Sequence, residues 1–251
     1  ARSMPTYKIA TDLNSLGLAM SSGNATQSLS DAQSQQILFA AVVVPLARMI
    51  YAGRINPATV TKEEYCSALV GLGRSNDEAF ELMVTRVEKE MQLIKHCIEQ
   101  GEAKSGVVLL FTLIESEVNG LIRSLLRIRG VTPQAITDAL KGTDFVTKLD
   151  VLLPLLDVTV PDRLRNAALQ CRSVRNLVAH NKASPALLTD AGEKPSDANV
   201  ARDRAVCFFE KNPPDRLRKD IESFSEFGLS GDTSVTWARH LFERFQFKSE
   251  A

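Results

Sequence analysis

The sequence predicts an all-α protein, and three observations carry that prediction. Apolar residues recur at intervals of three and four from about residue 31 onward, the period of a helix with a buried stripe. No stretch alternates apolar and polar residues long enough for a hairpin, and only Tyr7-Lys8-Ile9-Ala10 looks strand-like. Helix start signals stand at the head of several periodic stretches. The 251 residues are 44% hydrophobic and 24% charged, enough to bury a core without disulfides or metals. Thirty basic side chains balance thirty acidic ones, which excludes a histone-like arm and any attraction to nucleic acid through the overall field.

The elements follow in order. Residues 1–30, rich in Ser, Asn, Gly and Thr, read as loop or partly disordered chain. Ser30 or Asp31 caps a helix through Ile37, Leu38, Ala41, Val44 and Met49, with a kink at Pro45 because proline cannot donate to the helical ladder. Thr61-Lys62-Glu63-Glu64 has capping-box spacing and opens a short helix toward Leu72. Gly71, Gly73 and Ser75 interrupt, and Asn76 starts a helix to about Gln100. Over residues 75–102 seven carboxylates face Arg86, Lys89 and Lys95, so this helix is either solvated or docked on a basic neighbour. Residues 104–129 are apolar nearly all round, the pattern of a central helix. Thr132-Pro133 starts a helix to about Lys141, residues 144–156 continue, and Pro161 opens a helix to about His180. Residues 183–195 read as a loop, and three further helices fit 196–211, 213–227 and 233–246.

A boundary near residues 100–104 divides the chain into an N-terminal helical region, 1–103, of unassigned role and a helical bundle, 104–251. The periodicity equally allows one packed unit. The four cysteines form no C-x-x-C pair and there are three histidines, so no metal-ligand spacing is found and no metal or cofactor is expected. The cysteines read as small core residues in a reducing compartment. The longest apolar run, Ile37 to Leu46, falls well short of the roughly 20 residues of a membrane span. No basic stretch leads into an apolar one at the N-terminus. A cytoplasmic protein without membrane contact is expected. No phosphate-binding G-x-x-x-x-G-K-[ST] loop, H-E-x-x-H or G-x-S-x-G occurs, so ATPase or protease activity is not expected.

One helix stands apart. Over residues 161–182, Arg163, Arg165, Arg172, Arg175 and Lys182 face only Asp162, the sharpest basic excess in a chain of zero net charge. At about 100° per residue, Leu164, Ala167, Cys171, Val174 and Val178 share an apolar stripe that faces the core. Arg165, Leu169, Arg172, Asn176 and His180 fall on a second stripe roughly opposite, with Arg175 at the edge between them. Imidazole transfers protons near neutrality, and guanidinium matches phosphate oxygens in a planar fork. Together they suit removal of a proton from a ribose 2′-hydroxyl and stabilisation of a charged phosphorane, chemistry that needs no metal. The plain alternative is a helix-terminal histidine favoured by the dipole, beside ordinary surface arginines.

Arg175-Asn176-Leu177-Val178-Ala179-His180 resembles the R-x4-6-H motif of the HEPN superfamily, in which Asn often follows the Arg and Ala often precedes the His. The resemblance covers roughly residues 100–210, where a long apolar helix, a shorter pair and the motif helix follow in the family's order. It implies a HEPN-type helical bundle with an additional N-terminal region. It further implies a metal-independent endoribonuclease that leaves a 2′,3′-cyclic phosphate, acting in toxin or antiviral (abortive-infection) defence. The family's active site is usually composite, so a homodimer acting on an RNA substrate is implied. Carried over, His180 is the general acid/base, Arg175 the phosphate contact and Asn176 the orienting residue. Arg165, Arg172 and Lys182 extend the RNA contact. The family often carries a polar residue on the earlier long helix that reaches the motif arginine, a role that would fall to Glu115 or Asn119. From the residues alone, Glu115 is either solvated or buried beside a cation.

HEPN toxins paired with a nucleotidyltransferase antitoxin carry a Tyr two residues after the His. Here that position is Lys182, so regulation by that route is not expected. Trp237, His240, Phe242 and Phe245 alternate with Arg239 and Arg244, a pattern for stacking RNA or for a packed terminal helix. The alternative function is a non-catalytic HEPN-like binding or regulatory module, with the acidic helix and the N-terminal region as the surface for a protein partner.

Overall fold

A computed structural model of the chain describes residues 42–74, 87–180 and 197–246. Every element among the described residues is helical. In order they are α1 (Val44–Tyr51), α2 (Lys62–Arg74), α3 (Val87–Glu99), α4 (Ala103–Ile128), α5 (Pro133–Gly142), α6 (Phe145–Thr147), a π-helical turn (Lys148–Leu152), α7 (Leu153–Leu155), α8 (Asp162–His180), α9 (Asp197–Lys211), α10 (Pro214–Ser230) and α11 (Thr233–Gln246). Residues 1–41, with Tyr7–Ala10 and the start of the expected first helix, lie outside the described residues, as do 75–86 and the expected loop 183–195.

Local chemistry explains the boundaries. The Thr61 N–H donates to Glu64 Oε2 at 2.9 Å and the Glu64 N–H to Thr61 Oγ1 at 3.2 Å, a reciprocal capping box that starts α2. Thr132 Oγ1 accepts from the Ala135 N–H at 3.4 Å, with Pro133 opening α5 where its missing N–H costs nothing. Asp144 Oδ1 accepts from the Val146 N–H at 2.9 Å to start α6. At the end of α3, Gly101 takes φ +73°, which lets Glu102 N–H donate to Cys97 O at 2.8 Å and Gly101 N–H to Ile98 O at 3.0 Å. Gly130, at φ +80°, closes α4 in the same way.

Two prolines follow wide turns rather than simple kinks. Residues 42–43 are π-helical just before Pro45, and the π turn Lys148–Leu152 lies just before Pro154. A proline ring meets the carbonyl four residues back, and widening the turn removes that clash. The stretch 144–156, expected as one helix, is therefore split into α6, the π turn and α7.

The core forms around α4. Helices α3, α8, α9 and α10 pack on it, joining Met91 and Ile94, Val107, Leu110 and Ile122, Leu164 and Cys171, and Phe208 and Ile221 in one cluster. α4 is long and apolar enough to cross a membrane, but 56% of its most apolar window is buried among these helices, as in a core helix. Residue 103 begins α4 directly after the Gly101 turn, and side chains on both sides of that turn share the same cluster. A second cluster sits at the other end of α4. There Leu46, Ala47, Ile55, Val60 and Tyr65 meet Val235, Ala238 and Leu241 around Ile128. Burial pushes the Tyr65 phenol up to about 12, and its ring lies 5.0 Å from that of Phe245.

Of the four cysteines only Cys171 is buried. Cys97 is half-buried, and Cys66 and Cys207 are exposed, because each falls on the solvent side of its helix.

Candidate functional site

Helix α8 lies antiparallel to α4. Leu164 and Ala168 border a cavity of about 10 Å³ with Ile114, Glu117 and Val118, while further along α8 the Cys171 thiol donates to Val107 O at 3.5 Å. The order of contacts reverses between the two helices. Burial pushes the Cys171 thiol well above its ordinary range, so it stays an apolar core group. Leu164, Ala167, Ala168, Cys171 and Val178 are buried and Val174 is half-buried, which is the apolar stripe that the helical wheel places.

The second stripe is not the solvent face. Arg165, Leu169, Arg172 and Asn176 are half-buried, whereas Asn166, Gln170 and Ser173 are exposed. The reason is the segment that precedes α8. Arg165 Nε and Nη2 donate to Asp150 Oδ1 and Oδ2 of the π turn at 2.7 Å each, a bidentate pair. The pairing holds the Asp150 carboxyl below the usual carboxylate range. The Asp144 carboxyl is also lowered, first through the Thr147 hydroxyl and backbone, with the Arg172 charge a smaller cause. On the other side of α8, Arg163 Nε donates to Asp220 Oδ2 of α10 at 2.7 Å, and its Nη2 pairs with Oδ1. Two cations of the basic helix are thus neutralised within the chain.

Arg175 has different company. An ideal wheel puts its Cα between those of Leu164 and Ala168, toward the core. The long side chain runs out to water, and the residue is exposed. Its guanidinium sits 5.3 Å from the centroid of the buried Phe111 ring of α4. Nη1 donates to Asn176 Oδ1 at 3.2 Å. Phe145 of α6 packs against the same ring, with centroids 5.0 Å apart and planes at 63°. Among the described residues Arg175 makes no ion pair. His180 is the last residue of α8, about 7.5 Å further along the axis. Lys182 lies outside the described residues.

The expected support from α4 is arranged otherwise. Glu115 and Asn119 are half-buried and neither hydrogen-bonds to Arg172 or Arg175. Asn119 Oδ1 is buried with no hydrogen-bond partner among the described residues. The buried carboxylate of α4 is Glu117, which the sequence reading passed over. Its residue is 5% exposed, the Ser225 hydroxyl of α10 donates to Oε2 at 2.5 Å, and Oε1 has no hydrogen-bond partner among the described residues. Burial raises its carboxyl above the ordinary range, Ser225 works against that, and the Glu90 charge adds to it. A signal was present in its spacing, because Glu117 falls on the same side of the wheel as Leu110 and Leu113.

Elsewhere the charged and aromatic patterns separate. In α3, Glu88, Glu90 and Glu99 are exposed and Lys95 pairs with Asp215 of α10 at 2.5 Å. In α11, Phe242 is buried and Phe245 half-buried, while Trp237 and His240 are exposed with ring centroids 5.9 Å apart. No three His, Cys, Asp or Glu side chains cluster as metal ligands among the described residues. The chain matches no protein-family model, no curated protein and no solved structure.

Proposed function

We propose that the chain is a metal-independent endoribonuclease of HEPN type, with Arg175, Asn176 and His180 as its working residues. One observation carries the reading. In a helix whose Arg163 and Arg165 are neutralised by carboxylates, Arg175 keeps an exposed, oriented guanidinium five residues before a histidine at the helix end. In this reaction His180 takes the proton from a ribose 2′-hydroxyl. The new O2′–P bond forms as the P–O5′ bond breaks, and the His180 imidazolium passes its proton to the departing 5′-oxygen, which leaves as a hydroxyl. Arg175 stabilises the charge that builds on the phosphorane oxygens. Two copies of the chain, each presenting the end of α8, complete the site around one phosphate. A role in toxin or antiviral defence belongs to the same proposal. So does a cytoplasmic setting, which the two exposed free thiols, Cys66 and Cys207, suit.

The test is cleavage of total RNA and tRNA in EDTA by wild type beside His180→Ala. Fragments ending in a cyclic phosphate, lost in the variant, are expected. Cleavage retained by His180→Ala sinks the reading. The second reading, a non-catalytic binding module, is favoured by the internal pairing of Arg163 and Arg165, which leaves less positive field for RNA. A monomer at micromolar concentration that cuts no RNA would select it.

A further inference from the structure

Among the described residues no carboxylate aims the Arg175 guanidinium, and yet a phosphate contact needs a fixed fork. What lies against it is the face of an aromatic ring. Phe111 is 5% exposed and its ring is held edge-on by Phe145 at 5.0 Å, so the ring itself has little freedom to turn. Arg175 lies over that ring at 5.3 Å and gives one of its donors to Asn176 at 3.2 Å. A guanidinium held over a ring face spends no N–H donor on that contact, and it keeps its full positive charge, which a carboxylate partner would cancel.

We propose that Phe111 is the positioning residue of this site, holding the Arg175 guanidinium so that its remaining N–H groups face a phosphate of single-stranded RNA. This rests on the ribonuclease reading for its ligand class and goes beyond it in naming the residue on α4 that aims the arginine. Phe145, packed against the Phe111 ring, helps to keep that ring in place. The HEPN resemblance implied Glu115 or Asn119 for this support. Phe111 lies on the same helix, one turn earlier than Glu115.

The probe is a short single-stranded 2′-O-methyl RNA, which lacks the attacking hydroxyl and cannot be cut, with affinity read by fluorescence anisotropy on the full chain. Arg175→Ala is expected to weaken binding. Phe111→Leu, which keeps an apolar side chain and loses the ring, is expected to weaken it about two- to fivefold. In the Arg175→Ala background, Phe111→Leu is expected to add no further loss, because the ring acts through the guanidinium. Pentafluorophenylalanine in place of Phe111 keeps the ring shape and removes its negative face. It should reproduce the loss at an unchanged melting temperature, so a leucine variant that fails to fold does not stop the test.

Three results overturn the proposal: binding unaffected by Arg175→Ala, binding unaffected by the fluorinated ring, or a Phe111 effect that persists in full without Arg175. A wild type that binds the probe with the expected pattern and cuts no natural RNA sinks the nuclease reading and leaves this one standing.

Discussion

Arg163 and Arg165, in the first turn of α8, each meet a carboxylate from another element, whereas Arg175, about three turns later, meets a ring face and an amide. The carboxylates Asp220 and Asp150 fix their arginines and cancel their charge in the same contact. Phe111 and Asn176 fix Arg175 and leave its charge intact. Two ends of one helix with the same residue type therefore do different work: the first fastens α8 to α10 and to the π turn, and the second presents a cation to solvent. A sequence charge count treats all of these arginines alike.

The strongest way to break this comparison is at the helix end. His180→Ala is expected to lower RNA cleavage by about 10²- to 10⁴-fold, the contribution typical of a general acid/base. The comparison then predicts opposite results for the two arginine groups. Arg175→Ala should reduce the dependence of RNA affinity on salt by about one phosphate contact, a change in slope of roughly 0.7 for a single strand. Arg165→Ala should leave that slope unchanged, since Asp150 already neutralises it. A salt titration of binding by both variants decides. Equal losses of slope would show that the Asp150 pair opens for RNA.

A third prediction concerns a buried carboxyl, Glu117, that forms no ion pair among the described residues. Folding raises the Glu117 carboxyl, so the native state favours its protonated form. The associated stability is fully present below the ordinary carboxylate range and is lost as pH rises through that range toward the raised value. Leaving the ionised oxygen unpaired costs about 1–3 kcal/mol. Glu117→Gln should therefore flatten the fall in urea midpoint as pH rises from below the ordinary carboxylate range, and an unchanged fall would assign it to another group. The smallest effect is expected at Arg163. Its pair with Asp220 is partly exposed, and Arg163→Ala or Asp220→Ala should each cost about 0.5 kcal/mol, with a double-mutant cycle giving the pairwise part.

Local signals made much of the fold legible. Thr61 and Thr132 start helices by accepting from backbone N–H groups three residues on, with Glu64 reaching back to the Thr61 N–H, and that chemistry is written within four residues. The π turn was not legible, because its widened bonds leave no mark on apolar periodicity. The neighbours of α4 were equally hidden. Glu115 and Glu117 are similar carboxylates two residues apart, and what separates them is Ser225 and α10, more than a hundred residues later in the chain. At the candidate site the arginine and histidine stood out by composition. The ring beneath Arg175 did not, since Phe111 reads as one more apolar residue of a central helix until α8 is laid across it.

The cluster around Ile128 has a consequence for how the chain is made. Leu46 and Tyr65 on one side and Val235 and Leu241 on the other belong to one packed group, although most of the chain lies between them. At synthesis rates of about 5–20 residues per second, α1 leaves the ribosome roughly 10–40 s before α11 exists to cover it. For that interval Leu46 and Ala47 have no final partner from the C-terminal helix. The part of the α1 face that packs on Val235 and Leu241 thus stays without that cover until α11 arrives, and a ribosome stalled ahead of α11 would leave this half of the cluster unmade.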